Sequence, residues 1–199
     1  MEADAQRRDA RFDPRRRAIH AGAIAEFSAR GFAGTSMANI ADAVGVSRPA
    51  LYQYFENKSD IFVSAFVALF DDHADLALEA LDNDGTTAER LDGFLQRFDG
   101  DLWETMAASP HSEEIMTARP ANTVEEIQSV IARLERGLTA FLAKVAPGRS
   151  RAAVERRAGW VEVLRLAPKG FKYDGPGVAD YRRRLTALAH SIAADVDAR

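Results

Sequence analysis

An all-α fold is predicted by three observations. Apolar residues recur at three- and four-residue spacing along the chain, and no convincing alternating β-run appears. The third is that the periodic stretches are punctuated by stop and start signals suited to helices, such as Gly31, Thr35, Ser36, Gly45 and Ser47. With 199 residues and 47% apolar content, the chain can build a real core, so overall disorder is not expected. Cysteine is absent, which removes disulfides, thiol nucleophiles and cysteine-ligated metals from consideration.

The first helix is expected over 14 to 30, where Ile19, Ala23 and Phe27 make one apolar stripe and Gly31 ends it. Thr35 or Ser36 caps a second, two-turn helix whose Met37, Ile40, Ala41 and Val44 repeat at i, i+3, i+4 and i+7. Gly45 then permits a sharp reversal, Ser47 caps a third helix, and Pro49 lies in its first turn, where a missing N–H costs nothing. Two short helices joined by a tight glycine-containing turn make a helix-turn-helix. Leu51 and Phe55 are the expected core contacts of the third helix, leaving Arg48, Pro49, Tyr52 and Gln53 to point elsewhere.

Net charge is −4, an unpromising value for a nucleic-acid partner, but its distribution is uneven. Residues 14 to 58 carry six cations against three anions, a local balance of +3 that leaves −7 for the remainder. A mildly basic front joined to an acidic body fits a nucleic-acid contact confined to one module. Arg15, Arg16 and Arg17 suit either a DNA-grasping arm or a solvated tail.

The run from Ala18 to Phe62 resembles the DNA-binding module of the TetR family of bacterial transcriptional regulators. The resemblance rests on the Ile19, Ala23, Phe27 stripe, Gly31-Phe32, Thr35-Ser36, Ile40-Ala41, Gly45-Val46-Ser47, Leu51-Tyr52, Tyr54-Phe55 and Lys58. It implies that Thr35 and Ser36 contact phosphate, that Arg48, Pro49, Ala50 and Gln53 touch bases, and that Tyr52, Tyr54 and Lys58 hold the DNA backbone. Ala38 departs from relatives that carry a base-reading arginine there, which puts more of the readout on Arg48 and Gln53. It further implies a homodimer on double-stranded DNA at a palindromic operator, a small-molecule effector of unknown identity, and repression relieved by that effector. An activator, or a regulator without an effector, would carry the same front module.

The expected organisation is an arm over 1–13, a helix-turn-helix domain over 14–57 and a helical effector-binding and dimerisation domain over 58–199. A long helix is expected from Asn57 to about Leu81, broken by "DNDGTT", with further helices near 87–108, 111–118, 122–145, 149–167 and 178–197. An effector pocket would draw on Phe94, Phe98, Trp103, Met106, Met116, Phe141 and Trp160, with His111 as a polar anchor. The last two helices show Val154, Ala158 and Val161, then Tyr181, Leu185, Leu188 and Ile192; the resemblance assigns such a pair to the dimer contact.

No P-loop, GxGxxG, GxSxG or HExxH occurs, so an enzyme is not expected and no cofactor is implied. Asp71, Asp72 and His73 diverge around a helix, although a metal-dependent regulator using Asp71, His73 or His111 is a rival reading. The charged N-terminus lacks the apolar core of a secretory signal, and the run from Ile61 to Phe70 is far shorter than the roughly 18 residues of a spanning helix, so a cytoplasmic location is expected.

Overall fold

A computed structural model describes residues 13–117 and 121–198, with the side chains of 116, 117 and 121–125 outside the description. It is helical, with no strand among the described residues. The expected arm falls outside them except for Asp13, and so do residues 118–120 and the side chain of Met116.

Helix α1, Pro14–Gly34, begins where Asp13 accepts a hydrogen bond from the Arg15 amide at 2.9 Å. Its regular part ends at Gly31, which takes φ +71° and ψ 171° and breaks the helix inside the span. Ser36 caps α2, Met37–Val44, in a reciprocal box: its hydroxyl accepts from the Asn39 amide at 3.2 Å, and its own amide donates to Asn39 Oδ1 at 3.0 Å. Gly45 follows in the left-handed region at φ +69°. Ser47 Oγ accepts from the Ala50 amide at 3.3 Å to start α3, Arg48–Tyr52. The long helix is α4, Lys58–Asp82.

The helix expected over 87–108 is interrupted. It comprises α5, Thr87–Leu95, a π-helical turn at Gln96–Gly100, and α6, Asp101–Ala107. The extra residue of a π-turn shifts the facing of everything after it, and Gln96, inside it, is drawn onto Arg182 O at 3.0 Å and Thr186 Oγ1 at 3.1 Å. Then come α7, Ser112–Thr117, α8, Ala121–Val145, α9, Arg151–Gly170, and α10, Val178–Asp197. Helix α9 runs past its expected end and contains Pro168. That proline falls in the last turn, is buried, and offers its carbonyl to Tyr181 Oη at 3.1 Å.

The chain divides into two compact units. One holds the chain through Leu69 together with Met106–Ile127, and the other holds Phe70–Thr105 with the chain from Gln128 onward. The amino-terminal unit keeps the first turns of α4 and includes α7. Its core gathers Ile19, Phe27, Ile40, Leu51, Phe55, Ile61 and Phe62, each no more than 2% exposed. The second unit is built around Leu91, Leu95, Leu142, Leu164, Tyr181 and Leu185, all no more than 1% exposed.

Candidate nucleic-acid interface

Five residues make α3, too few to persist alone. It persists because Leu51 is fully buried and Phe55, just beyond it, is 2% exposed. Anchoring on that side turns Arg48, Pro49, Tyr52 and Gln53 outward, and all four are exposed, with Ala50 half-buried between them. The side chains of Arg48, Tyr52 and Gln53 have no hydrogen-bond or ion-pair partner among the described residues. Tyr52 is 48% exposed, large for an aromatic with nothing to cover it. A guanidinium, an amide and a phenol at one end of a short rigid helix are the groups that read base edges and grip phosphate.

Other residues expected at this surface have internal work. Lys58 Nζ donates to Phe32 O at 2.6 Å and Thr35 O at 2.7 Å and lies 4.5 Å from the centre of the Phe32 ring. It closes the carbonyls left open where α1 breaks. Thr35 is 2% exposed, its hydroxyl donating to Gly31 O at 2.7 Å and reaching Glu26 O at 3.2 Å. Ser36 is exposed but engaged as the α2 cap, and Tyr54 is half-buried, with its carbonyl accepting from Arg16 Nη2 at 2.8 Å.

Arg16, whose guanidinium also stacks 4.6 Å over Phe55, is thereby fixed inside, whereas Arg15 and Arg17 are exposed without side-chain partners among the described residues. Sequence reasoning treated the three arginines as one cluster. Helical spacing alone separates them, because only the middle one faces α3.

Phe94, Phe98, Phe141 and Trp160 are buried in the second unit, while Met106 and His111 belong to the amino-terminal unit. Phe98 meets Phe70 edge-on at 6.0 Å, and Trp160 Nε1 donates to Asp195 Oδ2 at 2.9 Å. Trp103 differs from these: its ring tilts against Tyr181 at 5.4 Å, but its buried Nε1 has no acceptor among the described residues. Beside it, burial raises the Asp99 carboxyl to about 6 despite Lys172, whose ammonium is 3.9 Å away, and Lys169. Burial, with the Asp99 charge adding to it, likewise drives the Tyr181 phenol above its ordinary value.

Tyr181 and Leu185, expected at a dimer contact, are fully buried inside the protomer. Val154 is 50% exposed and Ala158 is exposed, whereas Val161, Leu188 and Ile192 are half-buried. Val163 and Leu166, at 44% and 43% exposure, share the outer face of α9. Ala187, Ser191 and Ala194 form an exposed small-residue stripe on α10. Among the described residues no cluster of three His, Asp or Glu could hold a metal, and Asp71 and Asp75 both pair with Arg133. No helix there is long and apolar enough to cross a membrane.

A helix-turn-helix head with outward, uncommitted hydrogen-bonding groups, followed by a larger helical body, defines a DNA-binding transcriptional regulator. Residues 19–65 match the family model of bacterial regulatory proteins of the tetR family. Solved structures share the whole fold. A putative TetR-family transcriptional regulator from Mesorhizobium loti is 17% identical, with 91% of this chain and 96% of that one covered at a TM-score of 0.62. The TetR family repressor AlkX from Dietzia sp., implicated in biodegradation of n-alkanes, is 19% identical over 94% and 96% at 0.57. The transcriptional regulator FadR from Bacillus subtilis, in complex with stearoyl-CoA, is 21% identical over 90% and 96% at 0.52.

Proposed function

We propose that the protein is a cytoplasmic homodimeric repressor that binds a palindromic operator and is released by a small-molecule effector, without catalysing a reaction. The observation carrying this reading is the set Arg48, Tyr52 and Gln53, exposed and unpartnered among the described residues on a helix whose other side is buried. Arg48 supplies bidentate donors for guanine and Gln53 pairs with adenine, while Tyr52, Arg15 and Arg17 hold flanking phosphates.

A single α3 covers one half-site, and two-fold pairing supplies the second. The outer faces of α9 and α10 suit that pairing: Val163 and Leu166 offer apolar area, and the Ala187, Ser191, Ala194 stripe lets another helix approach closely.

The effector site is proposed around Trp103, whose indole N–H would gain an acceptor from a ligand, with Tyr181 packed against its ring. The acyl-CoA held by the Bacillus subtilis relative supports an effector with a long apolar part. Release is a population shift: the effector favours a conformer whose paired α3 helices no longer match successive grooves. Helix α4 contributes residues to both units and gives the shift a continuous path.

Selection of bound duplexes from a random library tests the reading. Enrichment of an inverted repeat with half-sites about one helical turn apart is expected. Recovery of unenriched sequence would remove it.

A further inference from the structure

The break in α1 leaves amides of the following turn without helical acceptors. One is satisfied from far along the chain: the Ala33 amide donates to Glu114 Oε1 on α7 at 2.7 Å. Gly31 adopts φ +71°, and a Cβ there would collide with Glu114 Oε2, so a glycine serves both the reversal and the approach of this carboxylate. One turn earlier Ser109, 6% exposed, donates its hydroxyl to Ser28 O at 2.8 Å. His111 Nδ1 stands 3.6 Å from Glu114 Oε2.

The Gly31–Ser36 turn is thus held by Thr35 on Gly31 O, by Lys58 on Phe32 O and Thr35 O, and by Glu114 on the Ala33 amide. Thr35 and Lys58 lie within or next to the helix-turn-helix. Glu114 alone of the three comes from outside it, on a segment that follows directly from α6 in the chain.

We infer that Glu114 is a positioning residue for DNA recognition: by accepting from Ala33 it sets the turn that delivers Ser36 and α2, and through them the pointing of α3. The 106–117 segment is then a second lever on the reading head, besides α4. This rests on the DNA-reading function proposed above. The bond is solvent-exposed, so it contributes little to global stability. The aim of a five-residue helix is more sensitive, because small displacements at base edges cost specificity.

The test uses the full chain, its selected operator and a random duplex of equal length. Glu114→Ala is expected to lower the operator-over-random affinity ratio about 5- to 10-fold, a coupling-sized effect, while the melting temperature stays close to parental. Glu114→Gln deletes the same charge but keeps an acceptor oxygen, and is expected to restore the ratio. A parental ratio in the alanine variant overturns the inference. So does an equal fall in the glutamine variant, which would assign the effect to charge, or a collapse of folding in the alanine variant, which would make the contact structural. A parent that enriches no duplex at all is a separate failure, visible before any variant is made, and removes the function along with the inference.

Discussion

The two units use their cations differently. In the second unit Arg165, Arg182 and Arg184 reach carboxylates of the same unit at 2.9, 2.8 and 2.7 Å, and Arg133 grips Asp71 and Asp75. In the amino-terminal unit Lys58 and Arg16 turn onto carbonyl oxygens, and Arg15, Arg17 and Arg48 are left without side-chain partners among the described residues. Both units spend some cations internally, and at the front Arg15, Arg17 and Arg48 stay open to an external polyanion. Lys58 commits two of its three N–H donors to carbonyl oxygens inside the unit, whereas Arg48 commits none.

The sharpest way to break this comparison is Lys58→Met. It strands two carbonyls and removes a cation from the Phe32 ring, so a loss of about 2–3 kcal/mol in urea unfolding is expected, with the salt slope of DNA binding unchanged. A salt slope shallower by about one would return Lys58 to the phosphate contacts.

Arg48→Ala tests the opposite case. Operator binding should weaken by about 1–3 kcal/mol and preference relax at one base pair, without change in the unfolding midpoint. Duplex selection with the variant reads both effects.

In the body, burial makes Asp99 a cost at neutral pH. Its carboxyl rises from 3.8 to about 6, so the folded chain holds a proton that the unfolded chain releases across that interval. Stability from the protonated acid is complete below pH 3.8 and is lost as pH rises through about 6. Asp99→Asn is expected to raise stability at pH 8 by on the order of 1–2 kcal/mol and to flatten the pH dependence, less whatever the Lys172 pair contributes. Unfolding at pH 4 and pH 8 would show it.

The smallest effect is expected from Trp103→Phe. The ring contact with Tyr181 is largely kept and a buried donor without acceptor is removed, so stability should change by less than about 1 kcal/mol, in either direction. A larger loss in thermal unfolding would reveal an acceptor bound to that indole.

Much of the fold was legible from period and punctuation. Gly31, Ser36, Gly45 and Ser47 mark the ends of α1, α2 and α3 because each meets a local demand of the backbone. The π-turn at Gln96–Gly100 was not legible, since one inserted residue leaves the apolar spacing of 87–108 nearly intact. The outward face of α3 followed from Leu51 and Phe55. The fates of Thr35 and Lys58 did not, because they depend on where the carbonyls of Gly31 and Phe32 point. Glu114 lay further still from view: its partner amide is 81 positions away, and no local pattern couples the two.

That long-range joint has a bearing on biogenesis. On the ribosome, the first 69 residues emerge without the α7 segment, and residues 70–105, which belong to the other unit, must be synthesised before it arrives. The amino-terminal unit is therefore completed only after the 70–105 stretch of the other unit has been made.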